Sequence, residues 1–523
     1  MKGPQPEKKH TAEGPCLLRR QNENAGEGRS NMKREERMAE PLAGFGPYLS
    51  YLLRGCGMSA SEAARRLGYK SRNSLFRLLD GKGSYAAMQD CRRRLKDCPE
   101  LGLTPEQLTQ LDIALEVSRL GREGYLSNQA MRDMLRPGGE DAQGERWADG
   151  GLLDELATGR QVVLTITGCC DRALMTALAR SLPLHVPGVR VQVEHYIYIG
   201  GDEIIESIAA IQPLLYASCY MAWGVEPGVF SREQERLYRS NRVLARWEDA
   251  QGVWHARDAT LVGRRELAVS PLPCGEEPCA LESALTRERA RMTPLKAAFS
   301  LTHTPQDYLT YTRECAELEH GRAVYTVKLD VPISFIHPDI LLRAVRDGFA
   351  RQGFGQGEEM EALIGALWKV HLSRWQNYFT KRRPTHTIFS LPEMERFART
   401  GEQSDHFFAI SPYTPQERAD ILRHIRAQAE SNASFHVYFF QEGYRPPRSE
   451  IGLYEGAGTL MAKPDTHYDL GSDHAEILVT QTEFCRRYKE FFVQDLLEHH
   501  VMTQEQTFAA LDRLIALALG GEK

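Results

Sequence analysis

The stretch from Met58 to Lys82, MSASEAARRLGYKSRNSLFRLLDGK, constrains the fold of this chain more than any other part of its sequence. Ser59 or Ser61 can cap the start of a helix, because the side-chain oxygen accepts a hydrogen bond from a backbone N–H that has no partner inside the helix. Gly68 ends this helix, since glycine adopts the left-handed conformation at little cost. Between them lies a small apolar stripe at helical spacing, formed by Ala60, Ala63, Ala64 and Leu67.

A second helix is predicted to begin after Ser71, which caps it in the same way. Its inward-facing side chains are Leu75, Leu78 and Leu79. Its outward-facing side chains are Arg72, Asn73, Ser74 and Arg77. The turn Asp80-Gly81-Lys82-Gly83 closes the unit. Two short helices joined by a tight glycine turn, with polar and basic side chains exposed on the second, are what a reader of the DNA major groove needs.

This pattern resembles the Cro-like, phage-repressor type of helix-turn-helix of bacterial transcriptional regulators. The resemblance covers about fifty residues of the chain. The turn is one residue longer than the usual pattern of that family, and an extra residue there would rotate the second helix. The resemblance rests on Ala64, Gly68, Ser71, Leu75 and Leu78.

A regulator of this type binds double-stranded DNA, and the exposed residues divide into two roles. Asn suits a bidentate pair with adenine and Arg suits one with guanine, so we expect the outward face of the second helix to contact base edges. Basic residues around it are expected to contact phosphates and set the register, namely Arg65, Arg66, Lys70 and Lys82. The predicted DNA-binding set is Arg65, Arg66, Lys70, Ser71, Arg72, Asn73, Ser74, Arg77 and Lys82.

Local charge separates this hypothesis from its alternative, a helical hairpin with a purely structural role. Residues 42–97 hold eleven Lys and Arg against four Asp and Glu, a net of +7, whereas the whole chain carries −5. The remainder therefore carries −12. A basic module attached to an acidic body favours a phosphate-binding unit.

Composition limits the class of protein. A chain of 523 residues with 42% hydrophobic and 26% charged residues is typical of a soluble globular protein with two to four domains. We expect no membrane span, because no run of eighteen apolar residues occurs. The start MKGPQPEKKH lacks the apolar region of a secretory signal. Eleven irregularly spaced cysteines argue against a disulfide framework and predict a reducing compartment, the cytoplasm.

The predicted organisation has four parts. Residues 1–41 are polar without apolar periodicity and are expected to be a disordered tail. Residues 42–120 form an all-α helix-turn-helix bundle, with further helices at 47–55, 85–95 and 104–120. Residues 121–159 hold a short helix at 121–136 and a linker whose clearest part is 137–151. Residues 160–523 form a large mixed α/β effector or sensor region, with room for two subdomains.

In this region, strands are predicted at 161–167 and 189–198 and helices at 171–181 and 204–217, an alternation that suggests a partly parallel sheet. Further helices are predicted at 232–247, 338–352, 358–380 and 414–430, with a final pair at 482–498 and 503–519. Further strands are predicted near 323–329, 434–440 and 474–480. The region resembles the effector-like portions of large helix-turn-helix regulators of anaerobic Gram-positive bacteria, on the segments LTITGCCDRAL (164–174), FHVYFFQE (435–442) and LVTQTEFCRRYKEFF (478–492).

Few residues of this region suggest chemistry. The loop Gly168 to Asp171 lies between a strand and a helix, where Cys169 and Cys170 are either a thiol site or small buried turn residues, and we favour the second reading. The pair Cys274 and Cys279 lacks a second pair at zinc spacing. His195 is expected in the core or on a sheet face. Asp473, His474 and Glu476 have metal-ligand side chains without a supporting helix motif.

The sequence therefore predicts a DNA-binding transcriptional regulator, not an enzyme, with no cofactor and no metal. Its large body is expected to form a homodimer or to respond to a small-molecule or protein effector. The alternative is an enzyme of unknown reaction that uses the Gly168–Asp171 loop, with the helical unit as a protein-docking module.

Overall fold

The computed structural model describes residues 41–135, 147–168, 171–184, 186–199, 204–215, 217, 219–263, 265–273, 276–295, 297–300, 304–329, 331–355, 357–381, 383–403, 410–442, 444, 450–462 and 475–520. Over these residues the fold is mixed α/β, as predicted. The chain divides into two compact units, Met1–Leu126 and Ser127–Lys523. The tail predicted at 1–41 lies outside the described residues except for its last position.

The regular secondary structure of the described part of the first unit consists of helices. After a 3-10 turn at Pro41–Ala43, the helices are α1 (Phe45–Gly55), α2 (Ala60–Arg66), α3 (Arg72–Leu79), α4 (Tyr85–Lys96) and α5 (Pro105–Leu135). The helices predicted at 47–55, 85–95 and 104–120 are thereby confirmed. The separate helix predicted at 121–136 is also confirmed, because Gly121 has φ of 75° and ψ of 163°, which are not helical values, so that α5 consists of two helical segments that meet at a kink at this residue. Glycine makes such a kink inexpensive.

One apolar cluster holds α1 to α4 together. The leucines predicted to face inward from the second helix are buried in it or packed against it. Helix α1 approaches the end of α3 through Gly46, where an added Cβ would lie 2.6 Å from the Leu78 carbonyl oxygen and 2.7 Å from that of Leu79. Only a glycine permits so close a contact with backbone atoms.

In the described part of the second unit, the strands form two seven-stranded mixed sheets. The first sheet has the order β6-β5-β4-β1-β2-β3-β7. Its strands β1, β2 and β3 are parallel neighbours, and the other pairings are antiparallel. The strands are β1 (Gln161–Thr167), β2 (Arg190–Tyr198), β3 (Tyr220–Val225), β4 (Arg242–Glu248), β5 (Trp254–Gly263), β6 (Glu266–Pro271) and β7 (Thr293–Pro294). The accompanying helices are α6 (Leu152–Ala157), α7 (Arg172–Ser181), α8 (Ile204–Leu215), α9 (Arg232–Tyr238) and α10 (Ala280–Glu288).

Two predictions in this part are wrong. The helix predicted at 232–247 ends at Tyr238, and Arg242–Glu248 forms β4. Strand β4 pairs along its whole length with β1 on one side and β5 on the other, so tertiary hydrogen bonding outweighs the helical propensity of its residues. The linker predicted to extend to residue 159 contains helix α6, whose leucines are buried. The carboxylate of Asp149 accepts a 2.8 Å hydrogen bond from the Leu153 N–H in the first turn of this helix.

The second sheet has the order β11-β10-β9-β12-β13-β14-β8, in which β9, β10 and β11 are parallel. It confirms the strands predicted near 323–329, 434–440 and 474–480. Its strands are β8 (Ala297–Ser300), β9 (Val324–Lys328), β10 (Thr385–Phe389), β11 (Phe435–Phe439), β12 (Ile451–Tyr454), β13 (Gly458–Ala462) and β14 (Ala475–Val479). The accompanying helices are α11 (Pro305–Glu319), α12 (Pro338–Arg351), α13 (Glu358–Phe379), α14 (Leu391–Thr400), α15 (Pro415–Ser431), α16 (Thr482–Glu490) and α17 (Gln504–Ala518).

The final helix pair is present with one irregularity. Helix α16 continues into a π-helical segment, Phe491–Leu497. This segment presents the fully buried Asp495 to Arg132, which donates to both carboxylate oxygens. Side chains of both sheets share one apolar cluster with α16 and this segment. None of the described helices is both long and apolar enough to cross a membrane.

Candidate nucleic-acid interface

Serine caps begin the two helices of the predicted DNA-binding unit. Ser59 Oγ accepts a hydrogen bond from the Glu62 N–H at 3.3 Å, and Ser71 Oγ accepts one from the Asn73 N–H at 3.2 Å. The side chain of Ser71 is thus engaged at the start of α3. Between the helices, Gly68 has φ of +71° and is followed by the Tyr69 N–H, which donates to the Ala64 carbonyl at 2.9 Å. The turn is therefore closed by backbone hydrogen bonds of the kind that end helices at glycine.

Arg94 of α4 stabilises the turn between α2 and α3 by hydrogen bonds to its backbone. Its Nη1 donates to the Leu67 carbonyl at 2.9 Å and to the Gly68 carbonyl at 3.3 Å, which are acceptors left without a partner where α2 ends. Its Nε donates to Asp90 at 2.6 Å, and its guanidinium lies 4.9 Å from the Tyr69 ring centre. The hydrogen bond to Asp90 raises the pKa of Arg94. The role of Arg94 as a positioning residue could not be predicted from the sequence, because no local pattern links position 94 to position 67.

Helix α3 separates an apolar side from a polar one. Leu75 is fully buried and Leu78 is 2% exposed. All four residues predicted to contact base edges are exposed, namely Arg72, Asn73, Ser74 and Arg77. Because Asn73 and Arg77 are four residues apart, they lie on one face of the helix.

Phe76 lies beside this polar surface and is 41% exposed. It is three residues from Asn73 and four from Arg72, so it is a neighbour of both on the helix surface. Phe76 is not among the predicted DNA-binding residues, although the inward positions of the three leucines of α3 already place it on the outside of the helix. An exposed aromatic ring next to Asn and Arg adds apolar contact capacity to the polar face.

The residues predicted to contact phosphates differ in how much they are engaged with carboxylates. Arg66 Nη2 lies 2.6 Å from Glu62 and its Nη1 lies 3.1 Å from Glu100, and the bond to Glu62 raises the pKa of Arg66. Arg65 is 3.9 Å from Glu62 with an 80% exposed side chain. Lys82 Nζ lies 3.7 Å from Asp80. Arg66 would have to exchange two carboxylates for a phosphate, so we expect it to contribute least.

Three cations of this surface have no carboxylate within 4.0 Å in the described part of the chain: Lys70, Arg72 and Arg77. By contrast, Arg92 and Arg93 of α4 pair with Asp112 and Asp90 at 2.7 and 2.5 Å. Cations without a carboxylate partner are therefore present on α3 and in the turn before it. Such unpaired cations beside an amide side chain suit contact with an anionic, hydrogen-bonding partner.

The second predicted location, the loop after β1, is structural where it is described. Gly168 has φ of +89°, and a Cβ there would lie 2.3 Å from the Ser240 carbonyl oxygen. The Gly168 carbonyl lies 2.6 Å from Nε2 of His195, whose Nδ1 lies 2.8 Å from the Tyr220 hydroxyl. Complete burial lowers the pKa of His195 to about 4. The core position predicted for His195 is confirmed, and Asp171 caps α7.

Cys169, Cys170, Cys274, Asp473 and His474 lie outside the described residues. Cys279 is at the start of α10. Glu476 lies in β14. Within the described ranges, no group of three or more His, Cys, Asp or Glu side chains could hold a metal ion. Comparisons of the chain with protein-family models, with curated proteins and with solved structures found no match.

Proposed function

We propose that this chain is a sequence-specific, DNA-binding transcriptional regulator of the cytoplasm. In this proposal α2 and α3 form a helix-turn-helix of the Cro-like type, with α3 in the major groove. Residues 160–523 hold two copies together as a homodimer or respond to a small-molecule or protein effector.

The observation that carries the proposal is the surface of α3. Arg72, Asn73 and Arg77 are exposed together, and the two arginines have no carboxylate partner among the described residues. Exposed Arg and Asn on one short helix can each form bidentate hydrogen bonds with bases. Arg94 and the two serine caps stabilise the turn that presents this helix. The net charge of +7 over residues 42–97 supports the same partner.

The test is binding of the full chain to a labelled random-sequence DNA duplex, followed by fluorescence anisotropy at two salt concentrations. Affinity should fall steeply as salt rises from about 50 to 200 mM, because bound cations on the DNA are released when Lys and Arg contact phosphates. Arg65→Ala should weaken binding, because Arg65 is predicted to contact phosphates, whereas the control Arg423→Ala, an exposed arginine of α15, should not. If the full chain bound no DNA even at low salt, the alternative of an enzyme with a docking module would be favoured.

A further inference from the structure

A small cavity lies between the second sheet and two of its covering helices. Its volume is about 40 Å³. The floor comes from alternate residues of β9, which point to the same face of the sheet, and from Thr387 of the neighbouring strand β10. Helices α11 and α13 supply the opposite wall, and Tyr454 of β12 supplies one side. The polar residues of the lining include Glu319, Thr326, Lys328, Arg374, Tyr378 and Tyr454.

A buried ion pair dominates this wall. Arg374 is 6% exposed and donates from Nε to one oxygen of Glu319 at 2.8 Å and from Nη2 to the other at 2.7 Å. Burial acts to lower the pKa of Arg374, but the charge and hydrogen bonds of Glu319 raise it well above the usual value, so the guanidinium stays charged. Its remaining nitrogen, Nη1, is buried and has no hydrogen-bond partner within the described residues.

An unpaired donor on a buried cation is costly, since a buried polar group without a partner loses its hydration and gains nothing. The cavity therefore offers a place where an acceptor would be stabilised. Glu319 is already engaged by Arg374. Thr326 and Thr387 are hydrogen-bonded to each other at 3.0 Å. Tyr454 and Arg374 both line the cavity, whose only lining carboxylate, among the described residues, is that of Glu319.

Charge limits what can bind there. Arg374 pairs with Glu319, and Lys328 pairs with Glu450 through its Nζ, so the four formal charges around the cavity cancel. A monoanion would leave a net of −1 and a dianion a net of −2, and the second is much less favourable in a site of low dielectric constant. Among anions, the site therefore favours one with a single negative charge over phosphate or sulfate at neutral pH.

The size and the lining of the cavity limit the class of ligand that it could bind. A cavity of about 40 Å³ holds about three water molecules, or an organic group of four or five heavy atoms. Apolar side chains complete the lining, including Ile333, Phe335 and Ile410. An alkyl group of one or two carbons can contact this part while its carboxylate faces the donors.

We propose that this cavity binds a short-chain monocarboxylate, of the size of acetate or propionate, whose oxygens accept hydrogen bonds from Arg374 Nη1 and the Tyr454 hydroxyl. The ligand would supply the acceptor that Arg374 lacks. This inference concerns the second unit alone and does not depend on DNA binding by the first.

The test is thermal unfolding of the full chain, followed by tryptophan fluorescence, in sodium acetate, propionate, phosphate or chloride at equal ionic strength and pH 7. Acetate or propionate should raise the midpoint in a saturable manner, because a ligand that binds only the folded state stabilises it. Phosphate should act no more strongly than chloride. Titration calorimetry with the same salts then gives the dissociation constants.

Tyr454→Phe removes only a hydroxyl and should raise the dissociation constant for the carboxylate about tenfold. The matched control is Tyr308→Phe, since Tyr308 is equally buried in α11 but lies outside the cavity lining, with its hydroxyl 3.5 Å from His371 Nε2. Tyr308→Phe should leave the constant unchanged. The proposal is overturned if neither carboxylate stabilises the chain more than chloride does, if phosphate is the stronger ligand, or if the two variants bind equally well.

Discussion

Substitution of Gly46 tests how α1 positions the proposed recognition helix. A Cβ at this position would lie 2.6 and 2.7 Å from the carbonyl oxygens of Leu78 and Leu79, closer than such atoms normally approach. Both obstacles are backbone atoms, so the end of α3 must move to admit a methyl group. Forced overpacking of this kind costs about 1–3 kcal/mol. Alanine offsets part of this, since it favours a helix over glycine by about 0.5–1 kcal/mol.

We therefore expect Gly46→Ala to lower the free energy of unfolding of the first unit by about 1–2 kcal/mol. The matched control is Gly55→Ala in the same helix, where an added Cβ meets nothing within 4 Å. Without a clash, the control should be neutral or stabilising by up to about 1 kcal/mol. The two variants exchange the same residues, so their difference isolates the contact with α3.

The assay is urea unfolding of the full chain, read by two signals. All six tryptophans follow residue 146, so tryptophan fluorescence reports on the second unit, whereas circular dichroism at 222 nm reports helices of both units. Gly46→Ala should move the helical transition of the first unit to lower urea concentration and leave the tryptophan transition in place. If Gly46→Ala were as stable as Gly55→Ala, the close packing of α1 against the end of α3 would be refuted.

Three further predictions concern single side chains. Asn73→Ala or Arg77→Ala should cost about 1–3 kcal/mol of binding free energy on the preferred DNA site and relax the base preference at one position. Lys82→Ala should weaken binding to all duplexes alike and reduce the slope of log affinity against log salt concentration by about one. Competition binding at several salt concentrations distinguishes the two effects. Phe76→Ala should lower the affinity for a thymine-containing site, and replacing one thymine by deoxyuridine should lower the affinity of the wild type by a similar amount. Both changes remove an apolar contact with the 5-methyl group of thymine. Equal binding of the wild type to the thymine and deoxyuridine duplexes would exclude that contact. Protonation of His195 should lower the free energy of unfolding of the second unit by about 2 kcal/mol between pH 7 and pH 5, because the pKa of His195 falls from 6.5 to about 4 on folding. The stabilisation present above pH 6.5 is therefore lost as the pH drops toward 4. His195→Gln should remove this part of the pH dependence in tryptophan-monitored urea unfolding.

Local signals in the sequence predict those parts of the fold that local interactions determine. Serine caps at Ser59 and Ser71 and the leucine spacing of α3 lead directly to the observed helices, since capping and amphipathic spacing act over a few residues. The strand of residues 161–167 is recognisable because its run of β-branched residues is buried on both faces of the sheet.

Other features depend on partners distant in sequence. Residues 242–248 form a strand because they pair with β1 on one side and β5 on the other. The local sequence of residues 242–248 contains no information about these two neighbours. The pair of Glu319 and Arg374 joins two helices across 55 positions, and neither residue belongs to a motif. The role of Arg94 likewise follows only from the packing of α4 beside the turn. Long-range contacts of this kind explain why the cavity and the support of the turn were missed, whereas the exposed residues of α3 were predicted.

The most direct test of the central claim is sequence discrimination by α3. A duplex selected from a random library by the full chain is compared with a scrambled duplex of the same composition, at physiological salt. For a sequence-specific regulator, the wild type should prefer the selected duplex by about 10³-fold or more. The triple substitution of Arg72, Asn73 and Arg77 by Ala should bring that ratio close to one, while Arg423→Ala keeps it. Equal affinity of the wild type for both duplexes, or an unchanged ratio in the triple variant, would contradict the account.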